Sequence, residues 1–284
     1  MYEYAFSPRS IWRRFKANRL ALVGLIIASV ILVMGLLGPI VVPYNPYAMD
    51  FGRLLSPNSQ NLLGTDDLGR DVFSRLVLGA RISLLVGLGG SAIATSIGVV
   101  LGAFAGYFRG WIDEILMRIT DVMLVIPSFF LIILIVSSLR MRSSLIIMGI
   151  LGILIWPRLA RVVRSEILSL RERDFTKAAK AIGASDLRII FRHLLPNAAG
   201  SILVTTTMYA AVCILEQSTL SFLGLGDPTE ISWGSMLMLG RNYLTTAWWL
   251  ALFPGVMIFL TVLAFNMIGD GLRDALDPRL RGVK

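Results

Sequence analysis

The chain has 284 residues, a formal net charge of +9, and a composition that is 56% hydrophobic but only 16% charged; its mean hydropathy is +0.74. A water-soluble protein of this size has too little interior to hide so much apolar side chain, which excludes an ordinary soluble enzyme and points to an integral membrane protein. The basic balance belongs to loops on one side of a membrane rather than to a nucleic-acid surface. The single cysteine, Cys213, excludes an intrachain disulfide, and the single histidine, His193, lacks the Cys or His partners of a zinc site.

The first apolar run, Leu20–Val42, is too long for the core of a cleavable signal and no small-residue cleavage site follows it, so it is expected to remain as a first span. Further spans are expected at Ile82–Gly106, Ile119–Ser138, Leu145–Val163, Ala198–Leu223 and Trp248–Ile268. Backbone polar groups in lipid must be satisfied within the segment, so the spans are helices. The predicted fold class is therefore all-α and integral to the membrane, with six transmembrane helices.

Between the first two spans, LLGTDDLGRDVFSRLVLGARISL gathers Asp66, Asp67, Arg70 and Asp71. Thr65 stands where it would cap a helix starting at Asp66, and Val72, Leu76 and Gly79–Ala80 fit an interfacial helix feeding the second span. The acidic residues lack the remainder of an EF-hand calcium loop. Gly90, Ala94, Gly98, Gly102 and Gly106 recur at every fourth position of the second span, a stripe suited to close helix packing within the chain more than to a dimer seam. Pro127 and Pro157 fall within or at the end of spans three and four, where a missing N–H kinks a helix.

Lys and Arg set the orientation. Arg9, Arg13, Arg14, Lys16 and Arg19 precede the first span, and Arg109 and Arg118 lie between the second and third. Arg158, Arg161, Arg164, Arg171, Arg173, Lys177, Lys180, Arg188 and Arg192 cluster between the fourth and fifth spans, and Arg273, Arg279, Arg281 and Lys284 follow the sixth. The alternate loops are poorer in them, so both ends are expected in the cytoplasm.

The stretch FTKAAKAIGASDLRIIFRHLLPN, Phe175–Asn197, breaks the apolar pattern. Leu168, Phe175, Ala179 and Ile182 share roughly one face of a first short helix, which Gly183 ends. Ser185 is placed to cap a second, with Asp186 at its positive end and Leu187, Ile190, Phe191 and Leu194 along one stripe; Pro196 stops it or begins the next span. This helix–turn–helix bracket either lies on the membrane surface with its cations at anionic lipid, or presents its turn to a groove on another protein. The residue types alone do not choose between the two.

The pattern Ala178-Ala179, Gly183, Leu195-Pro196 resembles the signature cytoplasmic loop of ATP-binding-cassette importer permeases. LLGTDDLGRDVFSRLVLGARISL, then LSFLGLG followed by SWGSML, then DGLRDALDPRLR are similar to the dipeptide/oligopeptide/nickel group, and most similar to its C-type subunit. The resemblance spans nearly the whole chain. It implies a coupling loop at 164–197, with Lys177, Ala178, Ala179, Ile182, Gly183, Ala184, Ser185, Leu187, Phe191, Leu195 and Pro196 meeting the ATPase. Lys177 departs from the family, which usually has an acidic residue before the paired alanines, so a salt bridge made by that acid is not carried over.

The same resemblance implies the partners: a second, B-type permease, two cytoplasmic ATPases that carry the ATP and Mg²⁺, and an extracytoplasmic substrate-binding protein. It implies a bacterial or archaeal cytoplasmic membrane. It divides the chain into a cytoplasmic segment 1–19, a first helix with its external loop 20–81, a permease domain 82–269 and a cytoplasmic tail 270–284. No G-x-x-x-x-G-K-[ST] phosphate loop occurs, so the chain is read as no enzyme and as having no cofactor or metal of its own. The substrates implied are peptides, with nickel chelates or oligosaccharides as alternatives.

Glu216, in CILEQSTLSFLG of the fifth span, is a costly intramembrane acid and hence a candidate for function. It lines the aqueous path with Gln217, Ser218 and Thr219, senses a substrate amine, pairs with a basic group of the second permease, or makes a structural hydrogen bond. Asn266 and Asp270, at the inner end of the sixth span, read as interface positions, and Trp248 and Trp249 as an outer aromatic belt. Asp274, Asp277, Pro278 and Arg279 are placed against the ATPase or the bracket. A self-coupled secondary transporter would need more mid-membrane acids and an internal repeat. A membrane scaffold without transport would leave Glu216 without a purpose.

Overall fold

The computed structural model describes residues 8–139 and 142–276, and these are helical with no strand among them. α1 (Pro8–Ala17) is a short amphipathic helix, followed by α2 (Arg19–Val41) and, after a loop, α3 (Val72–Phe108). α4 (Gly110–Val125), α5 (Ser128–Ser138) and α6 (Ser144–Arg171) come next, then the bracket helices α7 (Asp174–Ala181) and α8 (Asp186–Ile189). A π turn at Ile190–Leu194 leads into α9 (Leu195–Phe222), α10 (Trp233–Gly240) and α11 (Trp249–Leu276).

Five helical runs are long and apolar enough to cross a membrane: α2, α3, α6, Asp186–Phe222 and α11. A sixth crossing exists only if α4 and α5 are taken together, and they are bent by 79° at their junction. The expected straight third span, Ile119–Ser138, is thus two helices. Pro127 explains the break: it has no N–H to continue the ladder and drives Ile126 into the extended region, at φ −85°, ψ 125°.

Other boundaries move as well. No helix begins at Asp66. The Asp66 carboxylate instead accepts from the backbone N–H groups of Leu68 and Arg70 at 3.0 and 2.9 Å, folding the chain into a turn that Gly69 completes at φ +80°. Asp71 is the cap, accepting from Ser74 N at 2.8 Å, and α3 runs unbroken for 37 residues from Val72. The interfacial helix and second span are one helix. The fourth span likewise continues past Val163 to Arg171, so 164–171 is helix and not loop.

The small-residue stripe of α3 is buried against α6. A methyl group at Gly98 would stand 3.0 Å from Leu159, and one at Gly106 would stand 2.8 Å from the Arg164 carbonyl. Bare backbone on one helix thus meets side chains on the other, the close approach that small residues allow in lipid. This seam carries the largest core, in which Leu151, Leu159, Val163 and Ile167 are wholly buried.

The loop 42–71 and α10 form a polar cap over one end of the bundle. Thr65 Oγ1 donates to Gly52 O at 2.6 Å and accepts from Leu55 N at 2.8 Å, so it fastens the loop and caps nothing. Asp66 pairs with Arg70 at 2.6 Å and with Arg75 at 3.5 Å; Arg75 also donates to Pro46 O at 3.0 Å. Asp71 accepts from Asn61 Nδ2 at 2.9 Å. Ser232 and Ser235 form a capping box at the start of α10, and Trp233 is wholly buried with its indole N–H on Leu76 O at 3.0 Å. Trp248 is exposed as a belt residue should be, but Trp249 is buried and donates to Thr65 O at 3.2 Å. Trp249 belongs to the cap and not to a lipid-facing belt.

At the opposite end, Asn18 caps α2, accepting from Ala21 N at 3.2 Å, while its amide donates to Asp274 at 3.0 Å. Asp274 thus rests against the start of α2; Asp277, Pro278 and Arg279 lie outside the described residues. Asn266 and Asp270 are exposed on α11.

Candidate functional site

The bracket is fastened to the ends of α6 and α3. Thr176 in α7 is wholly buried and donates to Leu170 O at 2.9 Å. Gly183 stands at φ +80°, with its own N–H on Lys180 O and the Ala184 N–H on Ala179 O at 3.1 Å, a glycine helix terminus. Nothing lies within 4 Å of where a Gly183 side chain would be, so the backbone angle and not crowding calls for glycine here. Ser185 precedes α8 without a side-chain cap bond. Asp186 accepts from the Tyr107 hydroxyl at 2.5 Å, tying α8 to the last turn of α3. Lys180 sits over the buried Tyr107 ring, 4.9 Å from its centre. The π turn Ile190–Leu194 comes directly before Pro196, whose missing N–H leaves a gap in the α ladder.

The bracket has two faces. Ala179, Ile189, Ile190 and Leu194 are buried against the α3–α6 core. Ile182 is 86% exposed, and Phe175, Leu187 and Phe191 are exposed with it. The faces differ from those read in the sequence. Ile182 points away from Ala179 instead of sharing its face, and the expected stripe splits, with Ile190 and Leu194 inward and Leu187 and Phe191 outward. Ala178, Lys177, Gly183, Ser185 and Pro196 are exposed, while Ala184 and Leu195 are half-buried.

Ion pairs bind α4 to α6 beside the bracket. Arg164 grips Asp113 with two bonds of 2.5 and 2.6 Å, the fork geometry that a carboxylate favours. Arg161 meets Asp121 at 2.6 Å, and Arg109 meets Glu172 at 3.3 Å; both pairs are about half exposed and contribute little.

A cavity of about 90 Å³ lies where the α4–α5 break faces α6 and α9. Met123, Leu124, Ile126, Pro127 and Ser128 line it from the break, Leu154, Ile155, Pro157 and Arg158 from α6, and Tyr209, Val212 and Glu216 from α9. The last three share one face of α9 by their spacing. Glu216 Oε2 is buried with no hydrogen-bond partner. Its sequence neighbours turn elsewhere: Gln217 and Ser218 are buried, with Gln217 Nε2 donating to Ser221 Oγ at 3.0 Å, and Thr219 bonds Leu215 O at 2.8 Å. Of the four polar residues singled out in the fifth span, Glu216 alone lines the cavity.

Sequence reasoning missed Arg158 and Tyr209 as cavity residues, and Tyr107 and Arg164 as the links to α8 and α4. Arg158 was legible only as one more cation near a span end; its place directly after Pro157 and the i, i+7 spacing of Tyr209 and Glu216 were the available signals. Among the described residues, no group of three or more His, Cys, Asp or Glu is arranged to hold a metal.

Comparison with known proteins agrees with this architecture. The model of the family described as binding-protein-dependent transport system inner membrane component matches residues 98–282, and that of the N-terminal TM domain of oligopeptide transport permease C matches residues 8–59. The chain is 44% identical to the dipeptide transport system permease protein DppC of Alkalihalophilus pseudofirmus, over 98% of this chain and 92% of that one. It is 40% identical to the oligopeptide transport system permease protein OppC of Bacillus subtilis, over 96% and 91%. It is also 40% identical to the glutathione transport system permease protein GsiD of Pectobacterium atrosepticum, again over 96% and 91%. With its bundle of apolar helices and its bracket, the chain belongs to the binding-protein-dependent transport system inner membrane component family.

Proposed function

We propose that this chain forms one half of the translocation path of an ATP-driven peptide importer in a bacterial or archaeal cytoplasmic membrane. α4 and α5 together make the sixth crossing, and both termini and the bracket face the cytoplasm, in keeping with the cluster of Lys and Arg there. The bracket couples the chain to an ATPase, and two such ATPases bind the ATP and Mg²⁺. A second, B-type permease completes the path, and an external binding protein delivers substrate at the polar cap. Peptides are the substrate class because the relatives above are named for dipeptide, oligopeptide and glutathione transport.

One observation carries the coupling role: Ile182, Phe175, Leu187 and Phe191 are exposed around a turn whose opposite face is fully packed. Apolar side chains held outward on a rigid base form a docking surface rather than a folding core. Lys177, Ala178 and Ser185 surround this surface, and the small residues let a partner's backbone come close. Glu216 lies on the path itself. The test is purification of the tagged chain from its native membrane in mild detergent. A second permease and P-loop ATPases should accompany it with ATPase activity. Ile182→Asp with Leu187→Asp should lose the ATPases and keep the second permease. A stable chain that travels alone, without ATPase activity, refutes the reading.

A further inference from the structure

We propose that the cavity beside Glu216 reads the free ends of a zwitterionic peptide: Glu216 receives the α-ammonium group, and Arg158 at the rim receives the terminal carboxylate. The inference rests on the peptide-importer reading above and adds the recognition chemistry of the path.

Three observations lead to it. Glu216 and Arg158 line the same cavity, yet make no ion pair with each other among the described residues. A buried carboxylate oxygen without a partner is expensive to hold in a membrane helix, and Glu216 Oε2 is one. The acid of the polar cap offers the contrast: Asp66 accepts from two backbone N–H groups and from Arg70, and pairs with Arg75 as well.

The second observation is the wall. Besides the two charges, the lining includes the apolar Met123, Leu124, Ile155 and Val212. A wall of this kind tolerates varied side chains, while the charges fix only what every free peptide shares, its two termini. Opposite charges side by side also discriminate: Arg158 repels a simple cation and Glu216 a simple anion, so a zwitterion is the ligand that satisfies both.

The third observation is depth. Glu216, half-buried, is the group inside, and Arg158 is exposed at the opening. The peptide therefore enters with its ammonium end first.

The test uses the complete transporter in proteoliposomes, with its binding protein in excess and loaded to saturation, so that the maximal import rate reports the permease. Three forms of one dipeptide are compared: free, N-acetylated, and C-amidated. Glu216→Gln should slow the free and amidated forms by about tenfold or more and leave the N-acetylated rate unchanged. Arg158→Gln should slow the free and N-acetylated forms and leave the amidated rate unchanged. Equal losses for all three forms with an intact complex would mean that the two charges bind the second permease, and would overturn the inference alone, as would no loss for any form. A wild-type complex that imports no peptide overturns both the inference and the peptide reading beneath it.

Discussion

At the capped end, Asp66, Asp71, Arg70 and Arg75 face one another, and the indole groups of Trp233 and Trp249 both donate to backbone carbonyls. At the bracket end, Ile182, Leu187, Phe191 and Phe175 face outward, uncovered by any of the described residues. Polar groups are buried where the chain closes on itself, and apolar groups are exposed where it does not. The normal preference is reversed at each end. In the cap the reversal is offset by hydrogen bonds and ion pairs at all but Asn61 Oδ1, so it specifies a shape. At the bracket it is offset by nothing among the described residues, which is why the proposed function places a partner there.

The contrast predicts that cap substitutions cost folding and that bracket substitutions cost coupling. The largest stability loss should come from Asp71→Ala. It removes the α3 cap and leaves the Asn61 amide and the Ser74 hydroxyl without their acceptor, for about 2–4 kcal/mol in thermal unfolding of the purified chain. An unchanged melting temperature would mean that the cap is ornamental. Trp233→Phe keeps most of the volume and loses the bond to Leu76 O, which should cost about 1–3 kcal/mol. Tyr107→Phe, at the joint between α3 and α8, should cost about 1–2 kcal/mol and, unlike the cap variants, should lower transport more than ATP hydrolysis. Gly183→Ala forces a side chain into the left-handed region for about 1–2 kcal/mol in a turn free of crowding. A bulkier residue there should cost no more stability yet uncouple transport, because its bulk would meet only the partner. Ile182→Asp should shift stability least, by about 0.5 kcal/mol or less, and still abolish transport. A fully active Ile182→Asp protein would erase the distinction between the two ends.

Apolar runs made the bundle readable, and the every-fourth-residue stripe from Gly90 to Gly106 was readable as close packing within the chain, though not that α6 is what it meets. Boundaries were less readable because helices here outlast their apolar stretches. α6 continues through Arg164 and Arg171, with Arg164 paired to Asp113 on α4 and Arg171 over the Tyr107 ring. The expected third span was misread for a specific reason: Pro127 does more than kink, because Ile126 before it leaves the helical region altogether. That break makes the cavity, so the site beside Glu216 was invisible beyond Glu216 itself. In the bracket, the turn at Gly183 was legible from one residue, whereas the outward and inward sides were not. Which of Leu187, Ile190, Phe191 and Leu194 is buried depends on how α8 and the π turn seat against the α3–α6 core.

The unbroken helix α3 has a thermodynamic consequence. It is capped at one end by Asp71 and anchored at the other by Tyr107 on Asp186, a reach of about 55 Å through the whole bundle. Two sites joined by one such element are linked reciprocally: whatever free energy a protein docking on the cap contributes by favouring one tilt of α3, a protein docking on the bracket must feel with the same size and sign. Loaded binding protein should therefore raise the affinity of the bracket for its nucleotide-bound ATPase by the same factor by which that ATPase raises the affinity of the cap for loaded binding protein. Two binding isotherms, one measured at the cap and one at the bracket, would then report one number.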